Sequence, residues 1–345
     1  MYTITDYLQY YKNTNVNEVR WNTQDNLLCA ILVYLPLKSF KGPIGFDEFV
    51  DRALAQRAKK NTNSVSPKAY EMIDIIKDSA RYKNLKIYDF TIRKDNETQF
   101  GAVTFRIDKE TIVAFMGTDN SRIGWFENFR LSYEYPTLTQ KLAIDYLKNN
   151  IKIFENINLY VVGHSKGGNL AMASAMELSN FNFRKLKKVY NFDGPGFRKE
   201  EFESEKYKRL SKKLVNIVPA TAVVGTLLNN ENYTVVKSNG VGFSHLPTTW
   251  SVFGEFFESG KLSGLSRELH ESSTTGLESA SMETRREAFE AIFTSFEGEH
   301  SKDFNFSFNN IIKVLKNIKN LDPQVSKSIG EIVEIIIKDQ MSVKK

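Results

Sequence analysis

Apolar positions recur at helical spacing through roughly the first eighty residues, and the whole stretch to about Ala80 reads as helical. A polar break at Asn61–Ser66 interrupts it, and Pro67 then opens a new helix at its first turn. The strongest apolar run, Leu27–Leu37 (LLCAILVYLPL), contains Pro36 and is too short to span a bilayer, so it predicts a buried helix. The texture then changes. Lys86–Arg93, Phe100–Ile107 and Thr111–Met116 are β-branched and aromatic runs separated by polar turns, which predicts a meander. A helical stretch at Leu138–Lys148, with Leu142, Tyr146 and Leu147 on one side, leads to an apolar strand at Leu159–Val162. A small-residue helix follows around Asn169–Leu178, then strands at Lys188–Phe192, Lys213–Val218 and Tyr233–Lys237. Antiparallel strands followed by alternating strands and helices indicate an α/β sandwich with a mixed, mostly parallel sheet.

After about Gly260 the strands stop. Ile311, Val314, Leu315 and Ile318 keep helical spacing, as do Val325, Ile329, Ile332, Val333 and Ile336, with Asp322-Pro323 as a start signal between them. The pattern divides the chain into an α/β domain at 1–260, helical at its N-terminal end, and a helical C-terminal extension at 261–345. The apolar faces of that extension are interrupted by Asn, Lys and Glu, so it is expected to pack on the core, with no stable membrane insertion.

Composition narrows the chemistry. Apolar residues at 41% and charged residues at 26% describe an ordinary folded domain and exclude disordered and fibrous classes. Forty-seven basic against 41 acidic residues give a net charge of +6 spread along the chain, which reads as a solvated surface with no nucleic-acid partner. The single cysteine, Cys29, excludes an internal disulfide and a cysteine-based zinc site. With four histidines, no Walker pattern, no G-x-G-x-x-G after a strand and no H-E-x-x-H, neither a metal nor a cofactor is expected. The opening residues, Met1 to Tyr7, lack the basic-then-apolar order of a secretory signal, so the expected location is cytoplasmic.

The sharpest signal is Leu159-Tyr160-Val161-Val162-Gly163-His164-Ser165-Lys166-Gly167-Gly168-Asn169. It places G-x-S-x-G between a buried-type strand and a small-residue helix, the context of a nucleophile elbow. Ser165 then sits on a tight, strained turn, with Gly163 and Gly167 where side chains would collide with the neighbouring strand and helix. The helix N-terminus aims free N–H groups at an oxyanion, and the amide of Lys166 is the first donor.

These residues, with three further segments, resemble the class 3 lipases of the α/β-hydrolase superfamily, and within them the bacterial Mbeg1-like domains. Ala114-Phe115-Met116-Gly117-Thr118 is similar to the family's F-R-G-T/S strand end, with Met116 in place of the arginine. Gly124-Trp125-Phe126-Glu127-Asn128-Phe129 resembles its D-W-x-x-N segment, and Asn191–Phe197 (NFDGPGF) the Mbeg1 form of the next strand end. The resemblance covers roughly residues 20 to 255 and implies an α/β-hydrolase sandwich. It also implies Thr118 as the second oxyanion donor.

A serine nucleophile needs a base, and the base an orienting acid, in the chain order nucleophile, acid, histidine. His245, on a loop after the last strand, fits the base. His164 should point away under the turn, and His270 and His300 lie in the helical tail. The expected acid is Asp193, ending the strand after the nucleophile strand; the alternative is Asn216, where the lipase resemblance expects an aspartate and an amide could only orient the ring. Asp119, Trp125, Phe126 and Phe129 are expected to line or cap the mouth, and the mixed charges of 198–213 to form a solvated amphipathic helix. The expected function is a serine hydrolase cleaving a small-molecule ester or lipid. The alternatives are a thioesterase or lysophospholipase variant, or a non-catalytic scaffold used for binding.

Overall fold

The β-branched and aromatic runs that predict the meander are realised as β2 (Lys86–Lys94), β3 (Gln99–Ile107) and β4 (Glu110–Phe115). A computed structural model of the protein describes residues 1–294 except 58–64, 120, 152–155, 231, 240–243, 265, 269, 272–273 and 275–279. Strands β5 (Asn158–His164), β6 (Leu186–Phe192), β7 (Leu214–Pro219) and β8 (Tyr233–Val236) follow, and β1 (Phe40–Gly45) precedes them. All eight form one sheet in sequential order. Strands β1 to β4 run antiparallel, and β4 to β8 run parallel. The architecture is therefore the α/β sandwich with a mixed, mostly parallel sheet that the sequence predicts.

Strand β1 is a departure from the expected helical N-terminal stretch. Its sequence, FKGPIG, has a single buried side chain, Ile44, and Pro43, which an edge strand tolerates because one side needs no ladder hydrogen bond. A short hairpin, β9 (Val252–Phe253) with β10 (Phe256–Phe257), is likewise absent from the periodicity.

Successive side chains of a strand point to opposite faces, and each face has its own helical layer. On one side Ile112, Ala114 and Val162 join Leu27, Leu28 and Ile31 of α2 (Thr23–Leu32), together with α1 (Ile4–Tyr11), α3 (Phe46–Leu54) and α4 (Ser66–Ile76). On the other, Val113, Phe115 and Val161 meet α6 (Leu138–Asn150) and α7 (Lys166–Met176). Helix α5 (Arg122–Arg130) follows β4 and precedes α6 in the chain. Each buried Leu, Ile or Phe contributes about 1.5–3 kcal/mol, so the two layers carry most of the folding drive. On the α7 side, α8 (Asn180–Lys185), α9 (Lys199–Phe202) and α10 (Glu205–Ser211) complete the cover. Where the sequence predicts one amphipathic helix over 198–213, the structure has two short ones, broken where Ser204 caps α10; Tyr207 and Leu210 of α10 are buried while Lys206 pairs with Glu177 at 2.7 Å.

Beyond Gly260, α11 (Met282–Thr294) lays Phe289 on Phe129 of α5, ring centres 4.8 Å apart. The expected helices between Ile311 and Ile336 lie outside the described residues, as does His300.

Candidate active site

Parallel register brings successive strand ends together. Phe115 of β4 pairs with Gly163 of β5, and His164 of β5 with Phe192 of β6. The turns after β4, β5 and β6 therefore lie side by side at the carboxyl edge, next to the point where the sheet changes from antiparallel to parallel. Open α/β sheets bind ligands at such edges.

Ser165 occupies the turn between β5 and α7 with φ +59° and ψ −136°, a conformation that costs a non-glycine residue about 1–3 kcal/mol. Its N–H donates to the carbonyl of Phe192 at 3.0 Å, the residue before Asp193. The turn closes because Gly163 and Gly167 touch: a Cβ on Gly163 would lie 2.1 Å from the carbonyl carbon of Gly167. Gly117 approaches from β4, where a Cβ would stand 3.0 Å from Cβ of Ser165. This contact brings the turn after β4 against the serine.

Asp193 is fully buried and in a left-handed conformation, φ +51°, which Asp tolerates in a tight turn. Its Oδ2 lies 2.7 Å from Nδ1 of His245, and its Oδ1 accepts the N–H of Gly225 at 3.0 Å. Burial raises the pKa of Asp193, partly offset by His245 and the Gly225 amide. Asn216, the other position considered for the acid, is buried one strand over in an amide network. It accepts from Asn191 at 3.0 Å and donates to Asn230 at 2.6 Å.

His164 is buried beneath the turn. Its Nε2–H donates to the backbone carbonyl of His245 at 2.9 Å, leaving Nδ1 as the acceptor facing the hydroxyl of Tyr34 at 3.3 Å. Burial, and then the neighbouring His245, hold its pKa well below the usual histidine range. Tyr34 also accepts the N–H of Gly117 at 2.9 Å. One phenol thus links α2's end, the β4 turn and the elbow. His270 is turned elsewhere, its Nδ1–H donating to the carbonyl of Thr226 at 2.7 Å.

The β4 turn departs in part from its expected role at the mouth. Asp119 points inward, paired with Lys94 at 2.6 Å and with the Ser121 hydroxyl. Burial raises its pKa, but Lys94, Ser121 and Lys166 outweigh that and leave it lowered. Phe129 is buried under Phe289, whereas Trp125 and Phe126 remain half-buried. The Thr118 hydroxyl accepts from the Asn128 amide at 2.8 Å.

The Mbeg1-like family model matches residues 76–294. The chain belongs to the Mbeg1-like family. No curated protein matches it. Among solved structures it is similar to M37 lipase, with 15% identity, 59% of this chain and 68% of that one covered, and a TM-score of 0.38. Lipase from Rhizopus microsporus var. chinensis has 13% identity over 68% and 86% of the chains, TM-score 0.35. Lip2 lipase from Yarrowia lipolytica has 11% identity over 73% and 89%, TM-score 0.36.

Sequence reasoning about this Mbeg1-like protein missed three partners of the site. Tyr34 carried no signal beyond being apolar-compatible within a buried run. The Gly225 amide sits in a turn with no motif. The third is the destination of the Lys166 side chain: it is buried and donates to Glu127 Oε2 at 2.8 Å. A lysine inside a small-residue helix start was the available clue, because a buried ammonium requires a counter-charge. Among the described residues no group of His, Cys, Asp and Glu could hold a metal ion, and no helix is long and apolar enough to cross a membrane.

Proposed function

We propose that this protein is a serine hydrolase that cleaves a carboxylic ester of a small molecule or lipid through an acyl-enzyme on Ser165. One observation carries the reading: a buried carboxylate, Asp193, stands 2.7 Å from a loop histidine at the strand end next to a strained serine elbow.

The Ser165 oxygen attacks the ester carbonyl while His245 takes its proton on Nε2. The carbonyl electron pair moves onto oxygen, facing the amides of Thr118 and Lys166. Each such donor supplies about 3 kcal/mol where charge develops. Asp193, holding Nδ1–H, keeps the imidazole in the required tautomer and stabilises its cation. Collapse expels the alkoxide, which takes the proton from His245 and leaves as alcohol. Water then repeats the sequence on the acyl-enzyme and releases the acid. Trp125 and Phe126, half-buried in the helix after Thr118, offer apolar surface for an acyl group.

A fluorophosphonate probe followed by intact-mass analysis tests this. A single adduct mapped to Ser165, absent in Ser165→Ala, is expected. Ser165→Ala should also abolish p-nitrophenyl ester hydrolysis while changing stability by about 1 kcal/mol or less, and His245→Ala should abolish it at a larger stability cost, because it leaves the buried Asp193 carboxylate without its imidazole partner. A folded sample that gains no adduct over hours is a binding scaffold and not a hydrolase.

A further inference from the structure

We propose that the side chain of Lys166 is a positioning device for the oxyanion hole, acting with Glu127 and Gln99 to fix the spacing of the two backbone donors. The inference rests on the serine-hydrolase reading of Ser165 and deepens it.

The Lys166 ammonium has three protons, and the structure uses all three. They go to the carbonyl of Gln99 at 2.9 Å, Oε1 of Gln99 at 2.8 Å and Oε2 of Glu127 at 2.8 Å. Both charged side chains are only 1% exposed. Gln99 then reaches the other half of the site: its Nε2 donates to the carbonyl of Gly117 at 3.1 Å, and its Oε1 lies 3.4 Å from the N–H of Asp119. The geometry of the peptide unit gives this grip its meaning. The carbonyl of Gly117 and the N–H of Thr118 belong to one planar, trans group and point in opposite directions. Holding the oxygen aims the hydrogen. The same Gln99 side chain therefore orients the Thr118 amide at one end and anchors residue 166, owner of the other amide, through its ammonium.

Stability alone does not account for this arrangement. A buried ion pair is commonly replaced by apolar residues without loss of stability, whereas removing one partner strands the other charge. Here the pair is also incompletely satisfied: among the described residues Glu127 Oε1 has no hydrogen-bond partner. Lysine, a point charge with three separable donors, suits a three-way tether better than a planar fork.

The test compares ester hydrolysis and inhibition by a trifluoromethyl ketone, which forms a tetrahedral adduct with the serine, across a small set of folded variants. Lys166→Met alone should melt early or fail to fold. Lys166→Met with Glu127→Met should melt close to the parent. Its kcat should nevertheless fall about tenfold to a hundredfold, the scale of a misplaced catalytic group, with KM within twofold and ketone affinity falling in parallel. Gln99→Met keeps the ion pair and cuts the tie to Gly117, so it should show the same kcat loss even if the double variant is unstable. A double variant or Gln99→Met that folds and keeps the parent's kcat and ketone affinity overturns the proposal. Ser165→Ala runs in the same assay: if it retains turnover, the hydrolase reading falls and takes this inference with it. If it is dead while the other variants are unimpaired, only the positioning role falls.

Discussion

Two buried ion pairs in this protein use the same ingredients for different ends. Arg81 and Asp25, both 0% exposed, meet through two parallel contacts at 2.8 and 2.6 Å. Asp25 also accepts from the Tyr82 hydroxyl at 2.7 Å and from the N–H of Asn22 at 2.9 Å, which makes it part of the cap of α2. Arg81 spends a further donor on the carbonyl of Val19 at 2.9 Å, binding the segment between α1 and α2 to the start of the meander. Planar guanidinium and carboxylate saturate each other, and the hydrogen bonds of the cluster tie the cap of α2 to Arg81, Tyr82 and the segment before α2. The pair of Lys166 and Glu127 is single-pronged, leaves a carboxylate oxygen without a hydrogen bond among the described residues, and sits at the start of the helix that follows the elbow. Saturation marks a charge that holds the fold; an unsaturated charge beside a strained residue marks one that serves the site.

That contrast can be broken first at the carboxylate nearest the chemistry. Asp193→Asn should lower kcat by about 10⁴, the scale for neutralising a triad aspartate, with little change in melting temperature. Asn216→Asp should leave kcat within tenfold and cost stability, since it places a second charge among Asn191 and Asn230. Near-normal turnover in Asp193→Asn together with a gain in Asn216→Asp would move the acid to the neighbouring strand. The scaffold pair should behave in the opposite sense. Arg81→Met strands Asp25 and should cost about 3–5 kcal/mol in urea unfolding, with kcat/KM of the folded fraction unchanged. A parent-like unfolding midpoint, or a selective loss of activity, would erase the distinction between the two pairs.

How far the sequence carries depends on the range of the physics involved. The sheet from β2 to β8 is legible because a short β-branched and aromatic run bounded by polar turns is a local property of each strand. Strand β1 was not, because an edge strand with one buried side chain has almost no alternation to read, and Pro43 argues against it. In the site, the elbow was legible for the same local reason: glycines two positions either side of a serine report a steric demand within one turn. Sequence alone offers Asp193, just past the end of β6, and Asn216, which lies inside β7 level with Asn191, as positions for the acid. Only the fold of the 244–250 segment, where the Trp250 indole donates to the carbonyl of Ser244 at 2.7 Å, sets which of them meets His245. The tether from Lys166 joins residues 39 and 67 positions apart in sequence, beyond any local pattern.

The smallest expected effect separates His164 from His245 by pH. His164 is buried with its pKa held well below 6.5, by desolvation first and by His245 second. Between that depressed value and 6.5 the unfolded chain binds a proton at this residue that the folded chain does not. Stability must therefore rise with pH through this window and be lost as pH falls below about 6.5, by up to about 1.4 kcal/mol per pH unit for one such group. His164→Gln keeps a donor toward the carbonyl of His245 but cannot titrate. Unfolding free energies measured in urea from pH 7.5 to 5 should run parallel for the two proteins above 6.5. Below it the parent should fall away more steeply, because every other titrating group is common to both. Curves that stay parallel down to pH 5 would mean that His164 accepts a proton in place, as a site residue open to solvent would, and that the ring beneath the elbow belongs with the chemistry and not with the frame.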